Sequence, residues 1–205
     1  MTQLEFIDAV ARETLVDGVV LDDRHFPRTD GDYLAQIKKM AADLGLTIAA
    51  LASDAFFVAD EDTMHAALDR ALALGAPLLA GRLGAETAFS WSEQLHRLTS
   101  ASSLAKSANV TLAVRNAPGT FAATEHDCKR VSKETDSAWL RFGLDAGAFG
   151  AATDIAPLRE KTVLLWIARQ SSSLDPLWLG FHGFAVIDRD AGDLTFEEIQ
   201  ILNRT

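Results

Sequence analysis

Five charged side chains stand where apolar runs stop, and their types set the chemistry on offer. Asp145 closes the run RFGLD and Asp188 closes GFAVID. Two carboxylates in one site could hold a hard cation, or pass a proton as acid and base. Arg82, Arg115 and Arg169 follow PLLAG, VTLAV and TVLLWIA. Planar guanidinium forks suit a phosphate or a carboxylate ligand, and equally suit the two aspartates as ion-pair partners. Ion pairing of Asp145 and Asp188 with Arg115 and Arg169 is the favoured reading; the two aspartates remain the catalytic candidates. Arg82, Arg115, Asn116 and Arg169, with His25 after DDR and His182 before the last run, are the ligand-binding candidates.

Other chemistries find no pattern. HExxH, GxSxG, GxGxxG and GxxxxGK[ST] are all missing from the sequence. The single Cys128 lies within a helical pattern with no nearby base, and one cysteine builds neither a disulfide nor a thiolate metal site. His65, His96 and His126 fall on helical patterns and read as surface residues. Trp166, inside an apolar run, reads as packing rather than as a sugar-stacking platform.

Composition narrows the classes further. The chain is 48% hydrophobic and 23% charged, as soluble globular domains are. Nineteen basic against 29 acidic residues give a net charge of −10. The densest basic pairs are Lys38–Lys39 and Lys129–Arg130, so a nucleic-acid partner is not expected. No apolar stretch approaches the ~20 residues of a membrane span, and the start shows no signal-peptide pattern. A reduced, cytoplasmic setting without membrane association is the expectation.

The elements that must position these residues alternate. Seven nearly continuous apolar runs read as strands buried on both faces: Gly18–Asp23, Leu46–Ser53, Pro77–Leu83, Val110–Asn116, Arg141–Gly147, Thr162–Arg169 and Gly183–Asp188. Helical patterns separate them. Leu34, Ile37, Ala41 and Leu44 mark one face before Gly45; Met64, Leu68, Ala71 and Leu72 mark another before Gly75. Ser90 with Glu93, and Thr195 with Glu198, form capping-box patterns. Further helices are expected near Gln3–Thr14, Ala123–Thr135, Asp154–Glu160 and Leu174–Leu179, eight in all. No linker interrupts the series, so residues 1–205 read as one domain.

Strands alternating with helices give an α/β fold with right-handed crossovers. Charges directly after apolar runs favour a (β/α)8-like barrel over an open sheet, because barrels carry their functional groups at the C-terminal ends of many strands. The chain opens on a helix, so the barrel lacks its first strand: seven strands, eight helices. That leaves the first and seventh runs as edges. They could close on each other, be covered by the N-terminal helix, or dock a second copy as a homodimer. Closure or near-closure within the chain is expected.

The ordered motifs DGVVLDDRHFP, DLGLTIAAL, LALGAPLL, SANVTLAVRNAPG, RFGLDAGAF and GFHGFAVID resemble the sugar phosphate isomerase/epimerase family of xylose isomerase-like TIM barrels, over nearly the whole chain. The resemblance implies a divalent metal, Mn²⁺, Mg²⁺ or Zn²⁺, held at the barrel mouth by a Glu, an Asp, a His and a final Glu. This sequence departs from that set. Arg115 takes the first Glu position beside a retained Asn116, Asp145 is retained, Ala148 replaces a His or Asn, LLWIARQ has no His, and Asp188 is one methylene short of Glu. No bound metal cofactor is therefore expected. The resemblance implies a barrel that takes a small polar or anionic ligand, a sugar or sugar phosphate, with metal-dependent isomerase activity degraded or lost. An active isomerase/epimerase with rearranged acid/base groups and a non-catalytic scaffold are the alternatives. The family's DNA-repair endonucleases fit less well, because they need several metals and a basic face.

Overall fold

The computed structural model describes residues 2–145, 148–149, 156–167 and 181–187. Within them the apolar runs form one seven-stranded sheet: β1 (Gly18–Asp22), β2 (Thr47–Ala52), β3 (Leu78–Arg82), β4 (Thr111–Arg115), β5 (Leu140–Asp145), β6 (Thr162–Ile167) and β7 (Phe184–Ile187). Every neighbouring pair is parallel and the strand order is the chain order. Sequential parallel strands with helices between them wind into a nearly closed barrel. Among the described residues β1 pairs only with β2, and β7 only with β6, so the two edges form no ladder with each other. Among the described residues the seam lies between β1 and β7.

Five α-helices are described: α1 (Gln3–Glu13), α2 (Gly31–Asp43), α3 (Glu61–Leu74), α4 (Trp91–Ala108) and α5 (Glu125–Thr135). The helix expected at Asp154–Glu160 is instead a 3₁₀ helix, Ala156–Lys161. It runs straight into β6, and short connectors of this kind suit the tighter 3₁₀ turn. The helices expected at Leu174–Leu179 and after Thr195 lie outside the described residues.

Local chemistry explains the ends. Ser90 and Glu93 form the expected capping box on α4, and Thr2–Glu5 and Thr124–Asp127 repeat it on α1 and α5. Gly45 and Gly75 follow α2 and α3 at a left-handed φ of 74°. Leu34, Ile37, Ala41, Met64, Leu68 and Ala71 are buried as expected. Leu44 and Leu72, expected on the same faces, are 40% and 46% exposed. Leu44 is the C-cap residue, past the last helical turn of α2, and Leu72 lies one step of about 100° from buried Ala71, with Leu74 filling the core in its place.

Two apolar layers result. The larger lies between sheet and helices and contains Ile7, Leu21, Leu51, Phe57, Leu79, Leu98, Leu112, Val114 and Leu144. The smaller fills the barrel: Ala50, Leu78, Ala80, Ala113, Leu164 and Trp166, with Val20 and Val186 against it. Small residues on most strands make room for one Trp ring across the interior. α1 braces the edge strand β1, because its buried Gln3 donates from Nε2 to the Asp22 carbonyl at 2.8 Å. That carbonyl has no strand partner on its outer side among the described residues, and the bond satisfies it.

Candidate functional site

Side chains alternate along a strand, so the inner layer fixes which strand-end residues face the barrel interior. Counting by twos from Ala80, Ala113 and Trp166 puts Arg82 and Arg115 on the inner face of β3 and β4. Arg82 pairs directly with Arg115 in the ladder, Arg115 with Gly143, and Asp145 with Trp166. All stand at or near the C-terminal strand ends, so the charges expected at the mouth of β3 to β5 are there.

Arg115 is the centre of the group. Its Nη2 lies 3.8 Å from Asp145 Oδ2, and the side chains are 19% and 27% exposed. Its guanidinium carbon sits 4.6 Å from the centroid of the Trp166 ring. The expected pairing of opposite charges on consecutive strand ends thus exists for β4 and β5. Gly143 makes the stack geometrically available. A Cβ there would lie 2.4 Å from Trp166 Cζ3, so only glycine lets the ring lie across β5 toward Arg115. The ring is 5% exposed, which establishes Trp166 as barrel core.

Asn116 is 2% exposed, and both ends of its amide are engaged. Its Oδ1 accepts from the Asp145 backbone N–H at 2.7 Å, and its Nδ2 donates to the Asp145 carbonyl at 3.1 Å. The amide works as a peptide unit added to the ladder, fixing Asp145 rather than presenting a free group to a ligand.

On the other side, Arg82 Nε lies 3.4 Å from Asp54 Oδ1, with the two side chains 43% and 40% exposed. Asp22, at the end of β1, is bridged by Arg24, whose Nε donates to Oδ1 at 3.0 Å and whose Nη2 donates to Oδ2 at 2.5 Å. Burial pushes the Asp22 carboxyl up, but the Arg24 side chain and backbone N–H together hold it below its ordinary range. The loops above are tied down. Buried Gln94 accepts from the Gly84 N–H at 2.8 Å, and Arg97 Nη1 donates to the Val58 and Ala59 carbonyls at 2.8 and 2.6 Å.

The remaining candidates divide. His25 ends an exposed 3₁₀ turn after β1, at the mouth end. His182 does not join it. It precedes β7, and Phe184 pairs with Leu164, so His182 is level with the start of β6 at the opposite end of the barrel. In a parallel sheet a residue before a strand lies at the floor, not the mouth. Arg169 and Asp188 lie outside the described residues. Sequence reasoning passed over Asp54 as a partner of Arg82 and Trp166 as the platform for Arg115. The two-residue phase from Trp166 and the adjacent Gly143 were the available signals.

The divalent metal implied by the family resemblance does not fit the described donors. The strand end that should offer a carboxylate offers the Arg115 cation, which cannot be deprotonated. Asp145 is paired to it, and β6 ends TVLLWI with no donor side chain at its mouth end. Among the described residues no group of three or more His, Cys, Asp or Glu side chains converges. No helix among them is long and apolar enough to cross a membrane.

Comparison with known proteins bears on the fold. A family model described as xylose isomerase-like TIM barrel matches residues 9–166. No curated protein matches the chain. Among solved structures, the probable 3-DHS dehydratase AsbF of Bacillus anthracis superimposes with a TM-score of 0.75 at 14% identity, covering 99% of this chain and 94% of that one. The 3-keto-D-glucoside 4-epimerase YcjR of E. coli gives 0.72 at 12% identity, over 99% and 94%. An L-ribulose 3-epimerase gives 0.71 at 18% identity, over 90% and 74%.

Proposed function

The chain belongs to the xylose isomerase-like TIM barrel family, and from that premise we propose that it binds a small polar, carbohydrate-like ligand at the C-terminal mouth, with the metal-dependent isomerase chemistry of such barrels degraded or lost. The observation that carries the reading is the Arg115–Asp145 pair, 3.8 Å apart over the Trp166 ring. It puts a fixed cation and a carboxylate where a polyol could exchange hydrogen bonds with both, above an apolar floor that excludes water from below. Arg82 extends the polar rim on β3, and Asp145 is the group placed to accept a proton from a bound ligand. The similarity to two sugar epimerases supports the substrate class.

A rearranged, metal-free isomerase is the second reading. The same pair favours it, since a carboxylate base beside a guanidinium electrophile is the minimum that proton transfer next to a carbonyl needs. The test is calorimetric titration with pentoses, hexoses and their phosphates, followed by an NMR assay for isomerised product with and without Mn²⁺. Binding that Arg115→Met and Asp145→Asn weaken, with no product formed, supports the first reading. Metal-independent product abolished by Asp145→Asn supports the second. Saturable binding unchanged in both variants contradicts both.

A further inference from the structure

Arg82 and Arg115 are direct partners in the β3–β4 ladder, on the same face and at the last paired position before the mouth loops. Like charges placed opposite each other in a sheet repel. Folding has nonetheless set these two side by side, and Asp54 does not use up the donors of Arg82. Asp54 is 3.4 Å from Arg82 Nε, yet that nitrogen is buried and makes no hydrogen bond among the described residues. The Asp54 carboxylate approaches it out of line, as a charge neighbour only. A guanidinium carries five N–H donors in a planar fork and no acceptor, so an orphaned Nε lacks an oxygen in its own plane. The neighbouring Arg115 is steadied edge and face, by Asp145 at 3.8 Å and by the Trp166 ring at 4.6 Å. A steadied guanidinium loses little further entropy when it takes a ligand oxygen.

We infer that Arg82 and Arg115 form a two-guanidinium seat for one oxyanion, the carboxylate or phosphate of a small hydroxylated ligand. The inference rests on the mouth being the ligand site, as proposed above, and adds the charge class of its occupant. An oxyanion between the forks screens the repulsion along the β3–β4 ladder and gives Arg82 Nε its acceptor. Below the seat lie Ala80, Ala113, Leu78 and Trp166, so the anion rests on a closed floor and the hydroxylated part of the ligand extends outward. Asp54 is the intramolecular competitor: it is 40% exposed and can swing away from Arg82 when the ligand anion arrives.

The test is isothermal titration of the full chain at low ionic strength with three probes: inorganic phosphate, gluconate and the neutral polyol sorbitol. The seat requires both anions, or gluconate alone, to bind at least tenfold tighter than sorbitol. Binding of both identifies the oxyanion itself as the determinant; gluconate alone identifies a carboxylate carried on a polyol. Arg82→Gln should weaken anion binding about tenfold, the loss of a charged hydrogen bond, and leave sorbitol unchanged. Asp54→Asn should tighten anion binding several-fold, a gain that misfolding cannot imitate. Sorbitol binding as tightly as gluconate, with no effect of Arg82→Gln, would overturn the seat and leave the mouth as a neutral-polyol site. No binding of any probe would overturn the seat and count against the mouth reading as well.

Discussion

Arg115→Met removes the cation at the centre of the mouth while keeping a chain long enough to cover the Trp166 ring. Two interactions among the described residues are lost. The first is the ion pair with Asp145, at 3.8 Å and with both ends largely buried. Opposite charges about 4 Å apart interact by ~4 kcal/mol at an effective dielectric of ~20. Desolvation of both groups cancels much of that, leaving a net of ~1–2 kcal/mol. The second is the cation–ring contact at 4.6 Å, worth ~1 kcal/mol in a partly desolvated setting. Methionine returns some of it through sulfur–aromatic contact, ~0.5 kcal/mol. The expected loss is therefore ~2 kcal/mol, or about 4–8 °C in Tm for a chain of this size. The assay is urea denaturation of wild type, Arg115→Met, Asp145→Asn and the double variant. Asp145→Asn keeps the backbone groups that Asn116 holds, so the cycle isolates the charge pair. A coupling of ~1 kcal/mol or more is expected. It should fall only modestly in high salt, because the pair is mostly shielded from solvent. A coupling indistinguishable from zero would refute the argument that these charges are partners.

Further consequences can be measured on the same material. Asn116→Ala removes two hydrogen bonds and leaves the Asp145 N–H and carbonyl without those partners, so urea denaturation should report a loss of ~2–3 kcal/mol; a loss below ~0.5 kcal/mol would show that the clamp does not form. Gly143→Ala puts a methyl 2.4 Å from Trp166 Cζ3, and overpacking of that kind costs ~1–3 kcal/mol. The near-UV dichroism of the Trp should change with it, and an unchanged spectrum and Tm would contradict the described stack. Burial, reinforced by Asp127 and Glu125, pushes the Cys128 thiol up to about 12. A thiol reagent at pH 8 should therefore label native protein only at the global unfolding rate, whereas fast native labelling would contradict the burial.

Much of this was legible in the residues for identifiable reasons. The strands showed because both faces are covered, one by helices and one by the barrel's own interior, so hydrophobicity runs without alternation. Arg115 and Asp145 showed because each ends an apolar run, and consecutive parallel strands put consecutive ends together. What failed depended on phase and direction. His182 stands next to a strand, but nearness in sequence does not tell floor from mouth until the strand's start is fixed at Phe184. Trp166 meets Arg115 across an intervening strand, and the register shifts between Phe142 and Gly143, which no single-strand pattern encodes. Asn116 is a ligand-binding candidate because the resemblance retains an Asn beside Arg115, and sequence carries no sign of its bonds to the Asp145 backbone. Only the geometry of β4 against β5 shows that its amide extends the ladder. Leu44 and Leu72 sit at helix ends, where a residue or two of phase decides between core and solvent.

At the mouth a fixed cation, Arg115, stands where a carboxylate would bind a metal. A divalent ion held by Asp145 at ~2.1 Å would lie within about 6 Å of the Arg115 nitrogen, a repulsion of ~5 kcal/mol at a dielectric of ~20. Elemental analysis of the purified protein after incubation with Mn²⁺, Mg²⁺ and Zn²⁺ and desalting tests this directly. The account predicts far less than one equivalent of any of them, a Tm that a chelator leaves unchanged, and partial gain of metal on Arg115→Glu. One tightly held equivalent that disappears in Asp145→Asn would contradict it.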